Sequence, residues 1–544
     1  MVWNIFTKAI FLYLGCLVVL LLRYSIHLFS VHRTLRHVPG PRSSSLFWGE
    51  EWLLYHTLPG SHYVRWHQRF GKVVKFTGAF GHQVLSITDP RAISYILGEG
   101  IYSFPKPNGV REWFKATLGE GILWVEGTHA HEKQKRSLAP ALRYPLVNDT
   151  RRSSLTFNCS QQSVKIMTPM FYETSAKLAC QWSKLFDQGS CEDVEIEITN
   201  WAGRFALDTV GRAAFSYDFG CLSGEPHALA EALDGLTNNE NKLSSFYMRA
   251  LFWIFPSILS IGTKGEMIRK TKQELGSIAS KMWKDAKVVG ADGRNMLAVM
   301  FNSNDRTKFG EEYIVSQMRT VISAGYEPVS ALIAWMLYEL ASNEHLQQKL
   351  REEIWSAGDA SFDELNANCP LLDAVFKETL RMHPPILENH HEAAETIAVP
   401  LSEPLPGTSE CHLIIPKGTI LEIPVNVVQT DPTIWGSDAE RFRPERWLER
   451  KEEGIRHGRE IFAFSEGPRS CIGKAFAMCE IKESLTPLTD LFFILTLQQV
   501  LMVTLLRQFS FTCSYEIEPF QSFVIRPRIK GQGPSSLPLK VRKL

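Results

Sequence analysis

The stretch Phe464-Ser-Glu-Gly467-Pro-Arg469-Ser-Cys471-Ile-Gly473-Lys-Ala-Phe476-Ala decides the reading of this chain. A single Cys sits at a turn and is followed by a helix-compatible run. Gly473 stands two residues after it, Arg469 two before, Gly467 four before and Phe464 seven before. A helix starting just past Cys471 aims backbone N–H groups and a positive dipole end at the sulfur, which favours the thiolate. Gly467 permits a tight turn, and Gly473 lets the backbone come close to a bound group. Phe464 can shield the sulfur from water. A lone Cys in a glycine-containing turn is usually an ordinary buried residue, but here five positions, Cys471 among them, fit one pattern.

Two further motifs accompany it. Lys377-Glu378-Thr-Leu-Arg381 lies in an amphipathic stretch from Leu371 to Met382. Glu378 and Arg381 are three apart, so they share a helix face and can pair. Alone, such a pair is a weak signal, because most are solvated. This one is followed by His383-Pro384-Pro385, which ends the helix. Farther on comes Phe442-Arg-Pro444-Glu-Arg446-Trp447.

The three motifs, in this order, resemble those of the cytochrome P450 family, and the resemblance runs from about Pro39 to Gly531. It implies a fold that is mainly α with a small β region, behind an N-terminal membrane anchor. Cys471 is then the axial ligand of haem iron. A thiolate there pushes electron density onto the metal and favours O–O cleavage, and hydrogen bonds to the sulfur tune the iron. Arg469 is expected to pair with a haem propionate. Glu378, Arg381 and Arg446 are expected to form a charged triad behind the haem, which survives burial only if every member is paired. Gly127-Thr-His129-Ala-His131-Glu-Lys-Gln-Lys135-Arg136 resembles the helix that touches the propionates. His131 and Lys135 fall at the contact positions, Lys standing in for the usual Arg without its bidentate fork. His391 stands where relatives often carry a propionate-binding Arg.

Glu311–Leu340 is a long apolar helix pattern containing Ala324-Gly325-Tyr326-Glu327-Pro328-Val-Ser330. It resembles the distal helix that crosses over the haem, with Ala324, Gly325 and Glu327 lining the oxygen side. The family's Thr after the acid is replaced by Pro328. Proline in a helix interior costs roughly 3 kcal/mol, because it removes one bond and clashes with the carbonyl four residues back. A turn already opened around the Gly lowers that cost. The Thr hydroxyl normally helps deliver protons to oxygen. Without it, Glu327, water, Ser323 or a substrate hydroxyl must serve, since Ser330 points to another face.

Length and composition set the remaining bounds. The 544 residues suffice for a large core. A net charge of +1 gives no footprint for nucleic acid. Ten Cys without a C-x-x-C pair read as a reducing compartment. Ile5–Val31 is long enough to span a bilayer, although Arg23 and His27 interrupt it. The basic flank His32, Arg33, Arg36 and His37 orients it towards the cytosol, and Pro39-Gly40-Pro41 makes a stiff hinge. A cleaved signal peptide is the alternative, but no small-residue cleavage site is evident. Residues 1–38 therefore read as anchor and basic flank, 39–531 as the catalytic domain and 532–544 as a tail.

Strands are expected over Gly71–Asp89, Leu413–Val427 and Phe509–Ile529. Residues 143–161 and 483–499 read as inserts, with translated introns favoured over lineage-specific loops. Joining Lys482 to Val500 would place Met478, Ile481, Leu501, Met502, Leu505 and Leu506 on one amphipathic face. Two sequons, Asn148-Asp-Thr150 and Asn158-Cys-Ser160, lie in the first insert, where a cytosolic domain would not be modified.

The resemblance implies a microsomal monooxygenase that inserts one oxygen atom from O2 into a small apolar substrate, using electrons from an NADPH-dependent cytochrome reductase. It implies a single-pass protein of the endoplasmic reticulum membrane with its catalytic domain in the cytosol. The fungal-like style suggests a specialised metabolite such as a terpenoid, or a xenobiotic. Rival readings are a haem-thiolate isomerase or dehydratase, and an inactive haem-binding product. Phe104, Trp113, Phe114, Trp124, Phe246, Tyr247, Phe252, Trp253 and Phe255 are candidate pocket walls, with core or membrane contact as the alternative.

Overall fold

A buried carboxylate–guanidinium cluster and a long apolar helix set this architecture. The computed structural model describes residues 2–142, 159–187, 192–224, 227–237, 243–289, 310–358, 368–449, 461–473 and 492–544. The helices used below are α1 (Val2–Thr34), α2 (Ser61–Phe70), α3 (Asn108–Thr117), α4 (Thr128–Leu142), α5 (Cys159–Asp187), α6 (Ile198–Phe215), α7 (Gly262–Val289), α8 (Glu311–Ser342), α9 (Glu344–Ser356), α10 (Pro370–Met382) and α11 (Phe492–Leu506). The strands are β1 (Val73–Thr77), β2 (Gln83–Ile87), β3 (Asp193–Glu197), β4 (Glu388–Glu392), β5 (Ile397–Pro400), β6 (His412–Ile415), β7 (Ile420–Pro424), β8 (Phe509–Thr512), β9 (Ile517–Gln521), β10 (Ile525–Ile529) and β11 (Pro538–Lys543).

The chain divides into two compact units. The first holds Met1–Thr57, Ser61–Pro107 and His390–Pro424. It carries a sheet in the order β1-β2-β7-β4 and the hairpin β5-β6. β1 and β2 are antiparallel, with Val73 opposite Ile87, whereas β2 and β7 run parallel. Alternation of apolar side chains predicts these strands, and every residue of β2 and β7 is buried. Phe104 is fully buried here, a core residue rather than a pocket wall. α1 contains a stretch, Phe11–Thr34, with mean hydropathy 1.9, long and apolar enough to cross a membrane.

The second unit holds Leu58–Gly60, Asn108–Asn389 and Val425–Leu544. α8 runs through its core and packs on α6, while α5 packs on α11. Glu311 and Glu312 in the first turn of α8 complement its dipole. α10 opens on Pro370 at its first position and carries Arg381 in its last turn. α10 stops at His383, whose ring stacks on Trp335 of α8 at 4.1 Å and 5°. His383 Nε2 lies 2.6 Å from Glu339, so the end of α10 is pinned to α8.

The expected C-terminal tail is not one. β11 lies between β3 and β8, with Pro538 opposite Glu197 and Lys540 opposite Thr512. Leu539 and Val541 are buried between exposed Lys540 and Arg542, the period-two pattern of a half-buried strand. Residues 143–158 and 483–491 of the two suspected inserts lie outside the described residues. The rest of the second insert, 492–499, forms the first part of α11. Leu501, Met502, Leu505 and Leu506 are fully buried as expected, while Met478 and Ile481 lie outside the described residues. α11 also buries Gln498 and Gln499, whose four side-chain polar atoms have no hydrogen-bond partner among the described residues.

Candidate active site

The Cys471 loop is built by its own backbone. Cys471 N–H donates to Phe464 O at 2.9 Å, closing a hairpin-like loop. Ser465 at φ 56° and Gly467 at φ 71° supply the left-handed turns it needs. A Cβ on Gly473 would meet the Cys471 sulfur at 3.4 Å, so glycine there keeps one side of the sulfur open. Cys471 is exposed, while Phe464 and Ile472 on the loop are half-buried against the main core cluster. Helix begins at Ile472 and Gly473, and the continuation lies outside the described residues.

Two cations expected at the propionates have protein partners. Arg469 pairs with Glu126 and donates from Nη1 to Val125 O at 3.3 Å. Lys135, on α4, donates from Nζ to Pro468 O at 2.8 Å, tying that helix to the Cys loop. His131, one turn earlier on α4, is buried. His391 lies in the first unit, its Nδ1 2.9 Å from Phe104 O.

The triad is fully assembled. Glu378 receives Nε and Nη2 of Arg381 at 2.9 and 2.7 Å and Nε of Arg446 at 2.9 Å. It also accepts from the Trp447 indole at 2.9 Å and from Arg443 N–H at 2.8 Å. Arg381 Nη1 donates to Gln429 O and Ala439 O, and Arg446 Nη1 to Asp438. All three side chains are sealed from solvent. Each formal charge meets an opposite one, and the remaining donors meet carbonyls, as burial demands.

On α8 the helix is continuous through Pro328. Ala324 is exposed and Pro328 half-exposed in the middle of a helix that is otherwise mostly buried. Four apart, they share a face that faces open space. The carbonyl of Ala324 cannot receive its usual bond from Pro328, and exposure of Ala324 lowers the cost of that loss. Gly325 turns the other way, against α6, where a Cβ would come within 2.5 Å of Val210 Cγ2. Ser330 is buried and donates to Glu327 O at 3.0 Å, so it does not replace the missing hydroxyl.

Sequence reasoning missed what surrounds Glu327. Glu327 is buried, and its carboxylate acts on the buried guanidinium of Arg526 from β10. Arg526 Nη1 also donates to Asp234 at 2.9 Å and lies 5.8 Å from the centre of the Tyr326 ring. Burial opposes the Arg526 charge, but Tyr326, Glu327 and Asp234 outweigh it and hold the group protonated. Burial pushes the Tyr326 phenol up to about 12, against the pull of Arg526. The alternation of Ile525-Arg-Pro-Arg-Ile shows two Arg on one strand face, but not that one reaches α8. Phe523, in the β9–β10 turn, was also missed. It stacks on Trp113 at 6.4 Å and meets Phe114 edge-on at 6.2 Å. Among the other candidate walls, Phe246 is fully buried and Phe255 is exposed.

The family's prosthetic group is haem, and the residues present fit it. A soft, exposed sulfur sits on a loop whose glycine leaves its flank open, cations gather round that loop, and α8 keeps an uncovered small-residue face.

Comparison with known proteins agrees. The family model for cytochrome P450 matches residues 38–516, and the chain belongs to that family. It is similar to cytochrome P450 monooxygenase claQ of Ampulloclitocybe clavipes, 29% identical over 534 residues, covering 93% of this chain and 92% of that protein. It is likewise similar to cytochrome P450 monooxygenase 205 of Postia placenta, 29% identical over 477 residues, covering 82% and 84%. The chain is an oxidoreductase of the P450 monooxygenase type.

Proposed function

We propose that the chain is a membrane-anchored haem-thiolate enzyme that inserts one oxygen atom from O2 into a small apolar substrate, with electrons from an NADPH-dependent cytochrome reductase. The Cys471 loop carries this reading. Bound haem would supply the activation of oxygen. Cys471 would hold it through sulfur, with Phe464, Gly467 and Gly473 shaping the loop. Arg469, Lys135 and His131 would serve its propionate side, Arg469 and Lys135 exchanging part of their present partners for the carboxylates. Ala324 and Pro328 would present a low wall on the oxygen side. Gly325 would set the packing of that turn, and Glu327 would hold a proton-transfer carboxylate nearby. The aromatic group Trp113, Phe114 and Phe523 supports an apolar substrate, and a specialised metabolite such as a terpenoid fits it. α1 supports a single-pass anchor in the endoplasmic reticulum membrane, with its basic flank and the catalytic part cytosolic.

Pro328 favours a second reading, a haem-thiolate isomerase or dehydratase, because the hydroxyl that usually supports oxygen reduction is absent. Turnover with and without NADPH and reductase separates the two. The shifted Soret band of the reduced CO complex tests thiolate ligation, and Cys471→His must abolish that shift. A wild-type complex lacking the shifted band refutes the assignment.

A further inference from the structure

The first unit contains a cleft remote in sequence from the Cys471 loop. His62, Arg65, Trp66 and Arg69 fall at i, i+3, i+4 and i+7 of α2 and therefore share one face. With Gly40-Pro41-Arg42 they line a cleft of about 650 Å³. The hinge side of the cleft is fixed. Lys75 N–H donates to Pro39 O at 2.8 Å, Lys75 Nζ donates to Leu35 O at 2.8 Å, and a Cβ on Gly40 would land 1.7 Å from Lys75 O. The α2 side is fixed by Tyr63, which donates to Glu422 at 2.5 Å, and by His67 Nε2, 2.8 Å from Ser86 Oγ.

The cleft is cationic and its charges are unspent. No lining residue is acidic. Among the described residues no carboxylate pairs with Arg42, Arg65 or Arg69, although the Arg69 guanidinium lies 5.2 Å from the Phe70 ring centre. His62 is 8% exposed, and its buried Nε2 has no hydrogen-bond partner among the described residues. A buried ring nitrogen left without a partner costs free energy that an incoming oxygen would recover. Three guanidiniums and an imidazole around one opening match the oxygens of a phosphate group. The hinge wall at Gly40 follows closely on Thr34, where α1 ends, and His32, Arg33, Arg36 and His37 precede it.

We propose that this cleft binds the phosphate of an anionic phospholipid headgroup in the membrane that α1 enters. The proposal rests on the reading of α1 as an anchor. It gives the hinge a second hold on the bilayer, one that responds to lipid composition.

The test uses the full chain in neutral detergent, titrated by calorimetry with dihexanoyl phosphatidylserine, dihexanoyl phosphatidylcholine and inorganic phosphate. Phosphatidylserine is expected to bind tightest. At the scale of a juxtamembrane basic residue, Arg65→Gln or Arg69→Gln weakens it about fivefold, and the double variant about thirtyfold. His62→Ala weakens it in the same direction. Lys270→Gln/Lys284→Gln, which removes two exposed charges from α7, leaves it unchanged. The proposal is overturned if inorganic phosphate binds as tightly as phosphatidylserine, which would make this a site for a soluble anion. It is also overturned if the α7 control loses as much, or if no headgroup binds. Carbonate extraction of membranes separates the two readings. Release of the chain by carbonate overturns the anchor, whereas resistance without headgroup preference overturns this proposal alone.

Discussion

Glu378→Ala is the most searching substitution in the second unit. Glu378 accepts five hydrogen bonds, three of them from two guanidiniums that are wholly buried. Without it, Arg446 still reaches Asp438 at 3.1 Å, but among the described residues Arg381 is left with backbone carbonyls and the Met382 sulfur, and no anion. Removing one partner of a buried pair costs about 3–5 kcal/mol, a large share of the roughly 5–15 kcal/mol that holds a domain folded. An exposed pair gives the contrast. Glu132 and Arg136 are 3.0 Å apart on α4 with side chains 43% and 81% exposed, and an i,i+4 surface pair contributes only about 0.3–0.5 kcal/mol. Glu378→Gln keeps acceptor atoms in place but removes the charge, so its loss falls between these limits. Urea unfolding followed by circular dichroism measures all three variants without added salt to screen the ions. The reasoning fails if Glu378→Ala costs under about 1 kcal/mol, below even the range of a single broken buried bond, or no more than Glu132→Ala. A double variant with Arg446→Met is expected to lose less than the sum of the singles, because the two act within one network.

Other consequences can be measured on the same protein. Pro328→Thr is expected to raise product formed per NADPH consumed, and unchanged coupling removes the idea that Pro328 promotes wasted oxygen reduction. Gln498→Leu is expected to stabilise the chain by about 2–6 kcal/mol, since each of its two buried polar atoms left unsatisfied costs about 1–3 kcal/mol; a neutral or destabilising result means the amides have partners. Deleting 483–499 places Ile481 where Gln498 stands, and is expected to raise both haem occupancy and the unfolding midpoint; sequencing the spliced transcript checks the same point independently. Iodoacetamide is expected to label the exposed Cys471 in haem-free protein and to spare it after haem loading, while Cys221, buried and pushed well above the usual thiol range, stays unlabelled in both. Equal labelling of Cys471 with and without haem would contradict sulfur ligation.

What the sequence made legible was local. The α10 motif, the loop before Cys471 and the alternating strands β1 and β2 each depend on spacings of a few residues, and each stands where those spacings put it. Even β11 carried a readable alternation, Leu539 and Val541 between Lys540 and Arg542, but the Gly-, Ser- and Pro-rich run before it masked the signal. Its partners settle the matter. β3 lies more than three hundred residues earlier, and no window of sequence contains that pairing. Arg469 shows the same limit. Its spacing to Cys471 placed it beside the site, yet its present partner Glu126 comes from a distant segment. The aromatic candidates were chosen by residue type alone, so fully buried Phe104 and Phe246 came in with Trp113 and Phe114.

The neighbourhood of Glu327 explains how α8 can carry Pro328 without losing its acid. A carboxylate with 2% exposure is costly unless a cation compensates it. A threonine hydroxyl at 328 could donate one neutral hydrogen bond to such a group, but it could not balance its charge. Arg526 supplies an opposing charge, and Asp234 in turn pairs with Arg526 at 2.9 Å. A charge from β10 therefore helps to offset the burial of Glu327. Substitution at 328 removes a donor on the open face and leaves the electrostatics behind it intact. The two positions can then vary independently: Pro328 shapes the exposed face it shares with Ala324, and Arg526 acts on the buried carboxylate behind it.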